Sequence, residues 1–322
     1  MSRLACSALA LTSLLALSSG CDQPVPPGDT SPGGTGGGGT TGGAGGSTTT
    51  TEEGTETLVA QMGPITIASG EEAVKCVTVS LGNPDPVFVR RFRTTLHEGS
   101  HHMIVYTTDQ PPNATPVACQ SFGVAGGSAI FIAQQPESEL VFPNDPSGVP
   151  VGLPLHADQS LVIEIHYINT TPSPLDVLGA IEMDVLPVAA DVIKSGFAFQ
   201  GAFGIPEIPA QGEADTGVLW QPGLPGANLF ALTTHQHQLG TRMQVWYADD
   251  TTDLSTPIAD STSWHDPPLE TFDPPLHFPL DGSKGFAYQC HWVNPTSQTV
   301  YGGLGAEDEM CFFWSYYYPA PN

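Results

Sequence analysis

The sequence predicts an all-β protein: two jelly-roll-like β-sandwich domains behind a disordered N-terminal tether. Three observations predict it. Short runs rich in β-branched and aromatic residues recur from Leu58 onward, among them Val77–Leu81, Met103–Thr107, Leu161–Ile168, Met243–Tyr247 and Met310–Tyr318. Pro, Gly, Asn and Asp punctuate the intervals, as turns between strands require. No segment holds a helical apolar period over three turns.

The elements follow in chain order. Residues 1–20 read as an export signal, with Arg3, an apolar run from Leu4 to Leu17, and Ser18-Ser19-Gly20 before the cleavage point. Small residues ahead of Cys21 mark it as a candidate lipidation site. Ser18 stands where such sites usually carry Leu, which keeps ordinary secretion open. Either outcome is extracytoplasmic: a bacterial-type lipoprotein anchored at the periplasmic side or cell surface, or a secreted protein. Residues 21–56 are Gly, Thr, Pro and Ser, too polar to offset chain entropy by burial, and read as a flexible tether. Residues 57–188 and 189–322 then form two domains of ordinary size.

Eight Lys+Arg against thirty-three Asp+Glu give a net charge of −25. Nucleic acid is excluded as a partner, because phosphate binding needs cationic clusters. The one such cluster is Arg90, Arg91 and Arg93.

Of six cysteines, Cys6 lies in the export signal and Cys21 at its end. Cys76, Cys119, Cys290 and Cys311 remain, an even number in an exported chain, which reads as two disulfides. Three pairings are open. The local one would put a bridge in each domain. Thiolate metal ligation is the weaker rival, since no CxxC spacing is present.

Ten histidines supply the candidate chemistry. In Thr234-His235-Gln236-His237-Gln238-Leu239-Gly240, side chains two apart in a strand share a face, so both imidazoles can reach one metal. In His101-His102-Met103, neighbours point to opposite faces unless the strand bends, and Gly99-Ser100 just upstream allows that bend. In Leu161–Ile168, alternation puts Leu161, Ile163, Ile165 and Tyr167 on one face. His166 joins Val162, Glu164 and Ile168 on the other, and Glu164 is placed to orient a ligating imidazole. Near the end, Met310 and Cys311 point to opposite faces of an aromatic strand, so Met310 can enter a site. Two histidines with a thioether form a soft set that favours Cu(I). Each motif alone has a bland reading: exposed strand histidines, a structural core His, a core Met. His97 is an uncommitted neighbour of the first pair. His156, His265, His277 and His291 read as loop or core residues.

The four motifs in this order, HHM, IHY, HxHxLG and EMC before aromatics, resemble the copper type II, ascorbate-dependent monooxygenases over roughly residues 58–318. That family includes peptidylglycine α-hydroxylating and dopamine β-monooxygenases. The resemblance implies two jelly-roll domains, each with one copper. His101, His102 and His166 match the electron-storing copper, and His235, His237 and Met310 the oxygen-binding one. It also implies the bridges Cys76–Cys119 and Cys290–Cys311. The partners implied are O2, a small substrate, and ascorbate or another reductant. Where the peptidylglycine enzyme holds its substrate carboxylate with Arg, Asn and Tyr, this chain has Thr233, Phe312 and Trp314. A pocket there would be apolar or aromatic, and so would its substrate. The competing expectation is a non-enzymatic copper-binding lipoprotein on the same scaffold.

Overall fold

The computed structural model describes residues 46–50, 56–119, 127–188, 191–202, 204–303, 305 and 307–320. The export signal, Cys21 and most of the expected tether lie outside these. Within the tether stretch, however, Gly46–Thr50 form a strand that pairs antiparallel with Glu56–Ala60.

Among the described residues the backbone forms strands and no helix. In chain order they are β1 (Gly46–Thr50), β2 (Glu56–Ile67), β3 (Glu72–Ser80), β4 (Val87–Leu96), β5 (Ser100–Thr108), β6 (Asn113–Ala118) and β7 (Ser128–Ala133). Next come β8 (Glu137–Val141), β9 (Val151–Leu155), β10 (Ser160–Ile168), β11 (Leu175–Pro187), β12 (Ile193–Lys194), β13 (Gly196–Ala202) and β14 (Gly212–Asp215). The last are β15 (Leu219–Pro222), β16 (Asn228–His235), β17 (Gly240–Ala248), β18 (Ala259–Ser261), β19 (Leu269–His277), β20 (Gly285–Asn294) and β21 (Cys311–Tyr318).

They build four sheets. The first runs β1-β2-β11-β4-β9-β12, with β8 also on β4, and the second β6-β3-β10-β5-β7. The third runs β13-β21-β16-β19, and the fourth β14-β20-β17-β18, with β15 also on β20. The chain passes from the first two sheets to the last two between Lys194 and Gly196, because β12 still pairs with β9. That point lies a few residues after the expected boundary at 188/189.

Strand alternation explains the layering. On β10, Leu161, Ile163, Ile165 and Tyr167 join Leu58, Met62 and Phe92 of the first sheet in one core. On the third and fourth sheets, Leu229, Phe313, Val245, Phe286 and Trp292 form a second core. The opposite faces of the second and third sheets meet each other. Ile104, Tyr106, Ile132 and Val162 pack against Trp314, Phe197 and Phe199. Consequently β10 and β21 are buried on both faces, which is why both read as nearly unbroken apolar or aromatic runs.

Two disulfides, Cys76–Cys119 and Cys290–Cys311, are present. The second ties β20 to β21 and so links the fourth sheet to the third. The arginine cluster is consumed internally. Arg93 makes paired bonds to Asp184 and Glu182, Arg91 faces Glu139, and Arg90 donates to the carbonyls of Pro143 and Val151.

Candidate metal centre

The layer between the second and third sheets holds five histidines. Three come from β5 and β10. His102 lies opposite His166, and the next pair is Ser100 with Tyr167. His101 is therefore an extra residue, a β-bulge, and the bulge lets it share a side with His102 instead of pointing into the core. Gly99, with φ +88°, supports the bend; a Cβ there would lie 3.1 Å from Leu175 Cδ1. The three rings touch, with centroids 5.0 Å apart for His101–His102, 5.4 Å for His101–His166 and 5.3 Å for His102–His166. One nitrogen of each lies within 4.8 Å of the others.

The other two come from the end of β16. His235 closes the strand, and His237 lies in the turn leading to β17, with ring centroids 5.2 Å apart. Two features build this turn. Gly240 closes it, since a Cβ there would meet Gln236 Cβ at 2.5 Å. Glu309 accepts from the backbone N–H of His237 (3.0 Å) and Leu239 (2.7 Å) and from Trp292 Nε1 (2.9 Å). Burial pushes the Glu309 carboxyl up to about 7, against the pull of these donors. The last ladder pair of β16 and β21 is His235 with Phe312. Met310, one residue before β21, is buried.

The two sets adjoin. His235 lies 5.4 Å from His102 and 6.1 Å from His101, and His237 lies 6.4 Å from His101, centroid to centroid. Burial, reinforced by neighbouring imidazoles, holds His101, His102 and His235 well below the usual histidine pKa. Burial also lowers His166 and His237, opposed by Glu72 at the former and by the Asp308 carbonyl at the latter. All five are thus neutral near pH 7, the form that ligates metals.

Hydrogen bonds select the ligating nitrogens. His237 Nδ1 donates to the Asp308 carbonyl (2.7 Å), and His235 Nδ1 donates to Gln134 Oε1 (2.6 Å). Each ring therefore keeps its lone pair on Nε2. His166 Nε2 meets Glu72 Oε1 at 2.8 Å. Both ring nitrogens of His101 and Nε2 of His237 are buried without a hydrogen-bond partner. A buried polar atom left so costs about 1–3 kcal/mol. Neutral imidazoles with orphaned lone pairs fit a soft or borderline metal such as copper.

The remaining residues singled out by their sequence motifs fall as follows. Glu164 is buried and accepts from the Tyr106 hydroxyl (3.0 Å). Thr233 Oγ1 accepts from Gln134 Nε2 (3.1 Å). Phe312 stacks on Phe199 with centroids 4.3 Å apart, and Trp314 stacks on Phe197 at 5.0 Å. Sequence motifs do not point to Glu72 or Gln134, nor to His265, whose ring lies 5.9 Å from that of His101, and they give Glu309 of the EMC motif no role. The sequence puts His265 in a plain loop, and nothing in its local composition marks it otherwise.

Residues 220–322 match the family model for the copper type II ascorbate-dependent monooxygenase C-terminal domain. That segment contains His235, His237, Met310 and the bridge Cys290–Cys311. No curated protein matches the chain. Among solved structures, the major capsid protein P2 of bacteriophage PM2 is similar at 10% identity and TM-score 0.30, over 81% of this chain and 97% of that one. A structure of infectious bursal disease virus, Gx strain, follows at 9% identity and TM-score 0.18, over 83% and 72%. Overlaps this loose carry no argument about fold or function.

Proposed function

We propose that the protein, whose residues 220–322 match a copper monooxygenase domain, is itself a copper-dependent monooxygenase. It hydroxylates a C–H bond of a small apolar or aromatic substrate: R–H + O2 + 2e⁻ + 2H⁺ → R–OH + H2O. Ascorbate or another one-electron donor supplies the electrons. The observation that carries this reading is the buried layer of five neutral imidazoles, with both nitrogens of His101 and Nε2 of His237 left without hydrogen-bond partners.

His101, His102 and His166 would hold one copper, and His235, His237 and Met310 the other. Bound copper supplies the one-electron redox chemistry that the side chains cannot. The chain's part is placement. Gln134 and the Asp308 carbonyl fix His235 and His237 in the tautomer with Nε2 available. Glu72 orients His166. The stacked sheets exclude water from the donor atoms. We further read two sandwich domains, one per copper, held outside the cytoplasm by lipid on Cys21 or secreted after cleavage.

The test is metal content and oxygen consumption. Copper-loaded protein should bind two equivalents and take up O2 in the presence of ascorbate and substrate. His235→Ala and Met310→Ala should abolish that uptake. Tight copper binding with no reductant-dependent uptake for any substrate would instead favour the non-enzymatic copper-binding lipoprotein.

A further inference from the structure

We propose that the cavity beside His101 is the substrate site, and that it takes a neutral, mainly apolar molecule carrying a flat ring. The inference rests on the monooxygenase reading and adds the location and chemistry of the substrate.

The cavity has a volume of about 510 Å³, within the roughly 300–1,000 Å³ usual for small-molecule sites. Its walls are mainly apolar, with Leu96, Pro136, Ile168 and Leu175 from the first two sheets and their loops. Trp264 closes it from the other side. This residue sits in the loop between β18 and β19, so the cavity is completed only when both pairs of sheets contribute. The loop is pinned at its base, where Ser261 Oγ donates to the Ser263 carbonyl and Ser263 bonds Asp266.

Two contacts connect the cavity to the donor sets. The Trp264 ring lies 5.0 Å from that of His101, centroid to centroid. Gln134, which lines the cavity, is bonded to His235. A molecule in the cavity is therefore one side chain from each group of imidazoles.

The lining includes no Lys or Arg and sets Glu98 beside His97 and His265, so an anionic substrate finds no permanent counter-charge and one carboxylate against it. The half-buried indole offers a face for stacking, which favours a planar ring. The position suggested by Thr233, Phe312 and Trp314 is occupied by the chain's own rings, Phe199 on Phe312 and Phe197 on Trp314.

The test uses full-length, copper-loaded protein, reduced under nitrogen, and titration calorimetry with naphthalene-2-methanol and naphthalene-2-carboxylate. One alcohol should bind per chain, and the carboxylate at least roughly tenfold more weakly. Trp264→Ala should weaken the alcohol by roughly tenfold, the loss of about one stacking contact. Leu175→Trp, which fills the cavity, should abolish binding, and both variants should keep the wild-type copper content. If Leu175→Trp loses copper, Trp264→Ala alone decides. Failure of the alcohol to bind, or equal binding to wild type and Trp264→Ala, overturns the proposal. Oxygen uptake separates the two readings. Uptake lost in His235→Ala but unchanged in both cavity variants sinks the cavity and leaves the oxygenase. Alcohol binding that obeys the variants, without any uptake in the wild type, sinks the oxygenase and leaves the cavity.

Discussion

Gln134, on the first pair of sheets, holds the ring of His235, on the second. The amide nitrogen donates to Thr233 Oγ1 (3.1 Å) and to the Thr234 carbonyl (2.8 Å). A carbonyl can only accept, so this end of the amide is fixed as nitrogen. The oxygen end then faces His235 Nδ1 at 2.6 Å and can only accept, which assigns the imidazole proton to Nδ1. One side chain thus sets a tautomer across the layer between the sheets. Gln134→Ala should lower copper affinity at His235/His237 by about 10–100-fold, the usual effect of losing such a partner. Competition against a Cu(I) chelator measures it, and copper at His101/His102/His166 should stay. Unaltered affinity at both would show that Gln134 does not set the ring.

The turn after β16 depends on a residue without a side chain. A Cβ at position 240 would sit 2.5 Å from Gln236 Cβ, well inside contact distance. Gly240→Ala should cost about 1–3 kcal/mol in urea unfolding and weaken copper at His237. A variant as stable as wild type would mean that the turn adapts.

Cys290 and Cys311 enclose a segment of sequence separation 21. Closing a loop of that size stabilises by about 3 kcal/mol through the unfolded chain. The double variant Cys290→Ala/Cys311→Ala should lose that much in chemical denaturation. Its third and fourth sheets should open at lower denaturant than the first two, as followed by hydrogen exchange.

Acid should weaken a partly buried ion pair between the neighbouring strands β4 and β11. Burial tends to raise the Asp184 pKa, but bonds from Arg93 and Thr57 outweigh it and leave the carboxyl below its ordinary value. The folded state then binds fewer protons than the unfolded one, so the contribution is present above the unfolded pKa of about 3.9. It is lost as pH falls through the lower folded value. Asp184→Asn should destabilise by about 1.5–3 kcal/mol at pH 7, and the gap from wild type should narrow at pH 3. A constant gap across that range would place the effect in packing instead.

Local pattern made some of this legible. The alternation along Leu161–Ile168 puts Leu161, Ile163, Ile165 and Tyr167 on the core face and Val162 on the other, as observed, because one face of β10 meets a core and the other meets a second sheet. Gly99-Ser100 flags the bend at His101. The pair His235/His237 does converge, but not as two residues of one strand: the strand ends at His235, and Glu309 and Gly240 shape the turn that returns His237. Gln134 and Glu72 were not legible, nor was the role of Glu309, although it stands in the EMC motif. Their partners lie 101, 94 and 72 residues away, and only the stacking and pairing of sheets brings them together. His265 reads as a plain loop residue for the same reason, since its loop acquires its neighbours from the other pair of sheets.

The bulge at His101 carries a hereditary implication. In a regular strand every side chain's face is set by counting, so an imidazole beside His102 would be turned away from it. Here one surplus residue breaks the count, while His102 onward keeps its pairing with β10. The third imidazole of that group therefore depends on a single added codon, and a lineage could gain or lose it by an in-frame insertion or deletion, with no substitution at all.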